Sequence, residues 1–265
     1  MARRAEPRHP HRLVARPSRR WVARERRWVS RELRAAGSPA DDAFLRAYLG
    51  SPVPVLGVPT DELRRIAQAV AVHLRERSPS EARMLVRALW DRPMFEEKVT
   101  AIELLRRHPL IDDRRSYRMA SGWVDDATGW ALSDSLASGP IATRVAEVPE
   151  RFADLVHWTR SKNIWRRRAS TYALRAWVRA GELDRPLALL DRLLDDPERW
   201  VQRAVGTWLR ECWKKDRERT ERFLRANVRR LSPTVITVAT ERAPSSLREE
   251  LRSTCRETRV RPRGY

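Results

Sequence analysis

Cysteine is almost missing from this chain: Cys212 and Cys255 are the only two among 265 residues, so no disulfide framework shapes it. Neither sits at a metal-ligand spacing. The five histidines (His9, His11, His73, His108, His157) are too scattered to supply a zinc site. Long apolar runs are missing as well. Nothing approaches the roughly 18 residues of a membrane span, and no secretory leader is visible. No metal, no organic cofactor, no membrane contact and a reducing cytoplasm are the expectations. Lysine is scarce too, since only Lys98, Lys162, Lys214 and Lys215 stand among 55 basic residues.

What the chain does hold is arginine and tryptophan. Hydrophobic residues make up 42% and tryptophan appears 11 times, which a chain without a packed core would not carry. The formal net charge of +20 points to a polyanionic partner, because phosphates neutralised by arginine release their counterions. A GC-rich coding sequence also favours arginine, so the excess alone leaves a merely basic surface open.

Residues 1–34 carry twelve arginines against three glutamates and are broken by Pro7, Pro10 and Pro17. They read as a basic arm, partly helical near Trp21–Leu33 and dispensable for the fold. Residues 251–265 read as a basic tail. Between them lies a domain spanning 35–250, in which Glu81–Trp90, Phe95–Arg107, Asn163–Arg179 and Pro197–Lys215 show apolar residues at helical spacing. In the last of these, Val201, Ala204, Val205, Trp208 and Cys212 form one stripe. The Val53–Val58 segment is rich in β-formers, but Pro52 and Pro54 exclude a central strand.

A repeat links these helices. Phe95, Trp130, Trp165 and Trp200 follow one another at intervals of 35 residues. Three positions on come Lys98, Ser133, Arg168 and Arg203, and four positions on come Val99, Asp134, Ala169 and Ala204. This period predicts an all-α, HEAT-like solenoid, curved, with equivalent helices lining a concave face and the recurrent cations laddered along it for a DNA duplex. One unit breaks the pattern. Asp134 fills a slot that is otherwise small and apolar, where a carboxylate is costly unless paired, and such conflicts collect at functional sites. Trp130 lies one turn earlier on the same face. Arg168 shares a stripe with Trp165 and Tyr172. Thr128 and Gly129 leave the helix start open by a turn, so a solvated or capping aspartate, and a core tryptophan at 130, also fit.

Five stretches carry a further signal, in order along the chain: Tyr48-Leu49-Gly50-Ser51 with Leu56-Gly57-Val58-Pro59-Thr60; Leu89-Trp90-Asp91-Arg92-Pro93 with Glu96; Trp130-Ala131-Leu132-Ser133-Asp134-Ser135-Leu136; Asn163-Ile164-Trp165-Arg166-Arg167-Arg168-Ala169; and Gln202-Arg203-Ala204-Val205-Gly206-Thr207-Trp208-Leu209-Arg210-Glu211. Together they resemble the DNA alkylation repair family, the HEAT-like-repeat glycosylases of the AlkD type, from about Ala43 to Glu241. The resemblance implies hydrolysis of the N-glycosidic bond of cationic N3- and N7-alkylpurines, with the lesion held against the groove rather than in a deep base pocket. It implies that Trp130 packs on the deoxyribose of the damaged nucleotide. Asp134 is implied to stabilise an oxocarbenium-like sugar and position water, Arg168 to hold a nearby phosphate, and Tyr48 to face the DNA.

The family's second sugar-contacting tryptophan falls on Thr207, with Trp208 one residue later on the apolar stripe. Thr207 shares a face with Arg203, Arg210 and Lys214, and Lys98 extends the same set of DNA-facing positions; Trp165 and Trp208 remain candidates for the aromatic wall. Two readings of function therefore stand: a monomeric glycosylase acting on double-stranded DNA with alkylated bases, and a repeat protein that binds damaged or distorted DNA without cutting it. A protein-interaction scaffold fits less well with recurrent arginine. If the arginines make phosphate contacts, affinity for undamaged duplex falls linearly in log K against log salt, and Arg203→Ala lowers the slope by roughly one without changing sequence preference. Filter binding across a salt series measures this; a flat response would discard the DNA groove.

Overall fold

Each of the four aromatic residues spaced by 35 opens a helix. Phe95 starts α5 (Phe95–Arg107) and Trp130 starts α7 (Trp130–Leu136). Trp165 is the second residue of α10 (Ile164–Tyr172), and Trp200 the second of α13 (Arg199–Lys215). These four helices contact one another in sequence, α5 on α7, α7 on α10 and α10 on α13, so the sequence period is a physical stack. The structure, a computed structural model, describes residues 18–38, 42–107 and 114–260, and among them there is helix and turn but no strand.

The remaining helices are α1 (Arg19–Ala36), α2 (Asp42–Leu49), α3 (Thr60–His73) and α4 (Pro79–Trp90) at the front of the chain. Then come α6 (Arg114–Asp126), α8 (Ala142–Glu147), α9 (Phe152–Trp158), α11 (Arg175–Ala180) and α12 (Asp184–Asp191) between the stacked helices. The last are α14 (Arg217–Ala226), α15 (Pro233–Ala239) and α16 (Ser245–Val260). Local chemistry sets several boundaries. Ser78 caps α4 through a capping box with Glu81, Asn163 caps α10 by accepting from Trp165 N, and Ser232 caps α15 just before Pro233. The helix expected over Asn163–Arg179 is divided by a turn into α10 and α11. After α7 the chain runs on through a wider turn at Ala137–Ile141, where Gly139 and Pro140 interrupt regular helix geometry.

The predicted arm and tail are both corrected. Within residues 1–34, α1 sends Trp21, Val22, Val29 and Leu33 into the main core, and Ser30 Oγ donates to Glu97 Oε1 on α5 at 2.5 Å. Arginines crowd the outer face of α1 and conceal the stripe at Val22, Glu25, Val29 and Leu33. Residues 1–17 of the arm lie outside the described residues. At the other end, α16 carries Leu251 and Cys255 into the core, so the boundary at 251 cuts a packed helix. Residues 261–265 also lie outside the described residues.

Two contacts place the segment between α2 and α3. Glu96, only 2% exposed at the start of α5, accepts from Leu56 N at 2.9 Å and Gly57 N at 2.9 Å. That anchors the Val53–Val58 loop, which forms no strand, and Phe95 N adds a bond to Pro54 O. The second contact is between two glycines. Gly50 and Gly129 both have positive φ (62° and 98°), and a Cβ on Gly129 would stand 1.8 Å from Gly50 O. Only bare backbone can approach that closely. The contact sets the end of α2 against the first turn of α7.

A chain lacking residues 1–30 should therefore lose most of the buried face of α1 and show no cooperative thermal transition. Val29→Ala alone should cost about 1–3 kcal/mol, as expected for removing methyls from a fully buried site. Calorimetry checks both, and an unchanged melting temperature on deletion would return α1 to the status of an arm.

Candidate functional site

Asp134 is the fifth residue of α7, which begins at Trp130 after a Gly129 cap, so it is not a capping aspartate. It is 7% exposed and is met by Arg168 from α10, itself 5% exposed. Arg168 Nε donates to Asp134 Oδ1 and Nη2 to Oδ2, both at 2.7 Å, a two-pronged pair. The remaining donors are also occupied: Nη1 gives a bond to Trp200 O at 2.5 Å, and Nη2 a second bond to the Tyr172 hydroxyl at 3.1 Å. Four of its five N–H groups are thus spent inside the protein.

Burial pushes the Asp134 carboxyl up from its ordinary range, while Arg168 and the Tyr172 hydroxyl pull against that shift. Burial works against the Arg168 charge, and Asp134 more than offsets it. Burial and the Asp134 charge together raise the Tyr172 phenol. The pair stays ionised, because protonating Asp134 would strand a buried guanidinium without a counter-charge.

Aromatic side chains flank the pair. Trp130 is half-exposed, donates Nε1–H to Tyr48 O at 2.8 Å, and meets the Tyr48 ring edge-on at 5.8 Å. Tyr48 is 62% exposed and stacks on Phe44, which is 69% exposed. Neither aromatic is used for packing the core, and no residue of α2 is buried. On the other side Trp165 and Trp200 pair at 6.1 Å, and Arg168 lies over both the Tyr172 and Trp200 rings. Tyr172 also meets Trp208 edge-on at 5.6 Å. Past Tyr172 a cleft of about 530 Å3 opens between α5, α7, α11 and α13, with Thr207 and Trp208 on its wall.

The other predicted site residues divide. Arg203 is exposed, and Thr207 is half-exposed with its hydroxyl donating to Arg203 O at 2.9 Å. Trp208 is buried on the apolar stripe, as its position suggested. Lys98 does not extend a cationic row: its Nζ donates to Trp90 O and sits over the Trp90 ring at 4.5 Å, and burial lowers its pKa. Arg210 is tied to Glu211 at 3.3 Å and to Glu241. Of the recurrent cations, Lys98 and Arg168 are thus engaged within the protein, and Arg203 alone of the three is exposed. Sequence reasoning placed Tyr172 beside Arg168 and missed its hydroxyl as part of the network. It also missed Arg175 and Arg179 on the cleft, although they continue the Arg168–Tyr172 stripe by one and two further turns. Among the described residues no cluster of three or more His, Cys, Asp or Glu could hold a metal ion, and no helix is long and apolar enough to cross a membrane.

Comparison with known proteins places this geometry. The family model described as "DNA alkylation repair enzyme" matches residues 29–243. A search of curated proteins found no match. Among solved structures, a predicted DNA alkylation repair enzyme from Enterococcus faecalis superposes with a TM-score of 0.67 at 17% identity, covering 78% of this chain and 96% of its own. AlkD2 from Streptococcus mutans gives 0.60 at 17% identity, with 82% and 98% covered. At such identity these structures establish the helical repeat fold.

The closed ion pair dictates how substitutions behave. Asp134→Asn leaves a buried guanidinium unpaired and should cost about 3–5 kcal/mol of stability. Replacing both ends together, as Asp134→Leu with Arg168→Met, should recover most of that loss, because apolar residues of similar volume commonly replace a buried pair without penalty. Thermal melts of the two variants decide it: a double variant no more stable than the single one would show that the pair is not the unit the geometry makes it.

Proposed function

The chain belongs to the DNA alkylation repair enzyme family, and from that premise we propose that it hydrolyses the N-glycosidic bond of cationic N3- and N7-alkylated purines in duplex DNA. One observation carries the reading: a carboxylate held ionised at a slot where neighbouring units place Val99, Ala169 and Ala204, one turn from a half-exposed tryptophan. Evolution of a stack needs no charge there. Glycosidic cleavage does.

The chemistry asks little of an acid. When the C1′–N bond breaks, its electron pair passes to the purine nitrogen and cancels the positive charge of the alkylated base, so the leaving group departs neutral. Positive character then grows on the sugar. Asp134 supplies a fixed negative charge for it, and the face of Trp130 supplies a π surface beside it. Water adds at C1′, and its proton passes to Asp134 or to solvent. Arg168 serves as the positioning residue, because its paired donors fix both carboxylate oxygens before substrate arrives. Its one remaining N–H is available to a DNA phosphate.

A second reading, damage binding without excision, is favoured by Thr207, which leaves the sugar-facing wall with one aromatic fewer than the resemblance implies. The two are separated by incubating the protein with duplex that carries one N7-methylguanine and then treating with alkali. The glycosylase yields strand breaks at that site, and the Asp134→Leu/Arg168→Met variant yields them roughly 100- to 1000-fold more slowly while keeping its fold. Tight binding with no alkali-labile site in the wild-type protein would establish the non-catalytic reading instead.

A further inference from the structure

The cleft beyond Tyr172 has two kinds of wall. Val99, Ile102, Val178 and Trp208 give it an apolar floor. Its rim is cationic, with Arg106, Arg175, Arg179, Lys214 and Lys215 against only Glu103 and Glu211. Those two carboxylates are already engaged: Arg106 donates to Glu103 at 3.0 Å and Lys214 to Glu211 at 2.7 Å. Among the described residues Arg175, Arg179 and Lys215 have no carboxylate partner. Arg175 gives one bond to Ser138 O at 3.0 Å, and burial together with the charges of Arg179 and Arg106 disfavours its protonated form. Cations pressed together without counter-charge are a place where an anion is missing.

The floor carries a second signal. Trp208 is 6% exposed and its Nε1–H has no hydrogen-bond partner; Arg106 Nε on the opposite wall is in the same condition. Buried donors are almost always satisfied, so two orphans on one cleft indicate acceptor atoms supplied from outside. The hydroxyls of Ser135, Ser138 and Thr207 stand along the same walls, and a volume of about 530 Å3 lies in the range of sites that bury a small organic ligand. Thr207 is what leaves the mouth open, since a bulkier side chain there would occupy it.

An apolar floor, orphaned donors and an unneutralised cationic rim match one chemical class: a nucleotide, base inward and phosphate at the rim. We propose that this cleft holds a single nucleotide extruded from the duplex, with its base against Trp208 and its phosphate on Arg175 and Arg179. The proposal rests on the DNA reading of the family and is independent of whether excision follows. The same chemistry is offered by a free mononucleotide, so the test must tell the two apart.

A duplex with a central 2-aminopurine, labelled at one end for anisotropy, is titrated with the full chain until binding saturates. Extrusion into the cleft raises or quenches the 2-aminopurine emission at least twofold relative to free duplex. That change disappears at saturation in Thr207→Trp, which fills the mouth. It falls by more than half in Arg179→Glu, an exposed position where the fold is not at risk. An unchanged emission at full anisotropy, or the same change in both variants, overturns the proposal and leaves DNA binding standing. No anisotropy change at all overturns the DNA reading itself. Adenosine monophosphate is titrated in parallel while tryptophan emission is followed: saturation by the free nucleotide without any response from the duplex assigns the cleft to a soluble ligand and likewise overturns extrusion.

Discussion

Everything around the site depends on the two-pronged contact between Asp134 and Arg168. A lone carboxylate or guanidinium at that depth would cost more than the stack could offset, and together they are tolerable only if nearly every donor is satisfied. The structure meets that condition by drawing in groups from successive repeats: Asp134 from α7, Arg168 and Tyr172 from α10, and Trp200 O from α13. The pair therefore fixes the register of three stacked helices as well as the orientation of one carboxylate. Chemistry and assembly share the same bonds.

The same spacing recurs among the other ion pairs. Arg219 and Asp184, like Arg230 and Asp195, are 35 residues apart, and Asp134 and Arg168 are separated by 34. Arg167 reaches Asp196 at 2.6 Å across 29 residues, and Arg210 reaches Glu241 across 31. Many carboxylates of this chain are spent joining one repeat to the next. The formal charge of +20 is consequently not spread as a uniform field. It remains where arginines such as Arg175, Arg179 and Arg203 have no carboxylate beside them.

The stack was legible because period and chemistry agreed: four aromatics at intervals of 35 mark four helix starts, and Asp134 stood out because Val99, Ala169 and Ala204 showed what its slot normally holds. Its partner was within reach of the same reasoning, since Arg168 lies on a stripe with Tyr172. The direction of the bonding was not legible. A period places residues on a face without saying which of two neighbouring charges faces solvent and which faces its opposite, and so Arg168 and Lys98 read as phosphate contacts when the first is bound to Asp134 and the second to Trp90 O. The ends failed for a different reason. In α1, arginines on the outer face lowered the apparent hydrophobicity of the whole segment, although Val29 and Leu33 are fully buried. Composition averages over faces that packing treats separately.

The helix α2 differs from its neighbours in having no buried residue at all. It is attached at its ends: by the touching backbones of Gly50 and Gly129, by the bond from Trp130 Nε1 to Tyr48 O, and by Val55 N donating to Asp42 Oδ1 at 2.7 Å. A helix held by polar tethers and not by apolar area opens at a free energy set by those tethers, far below that of global unfolding. Its amide protons should therefore exchange as a separate cooperative unit while α5, α10 and α13 remain protected. Phe44 and Tyr48 thus ride on the part of the molecule best able to adjust to the shape of whatever surface lies against them, and the ion pair sits on the part least able to.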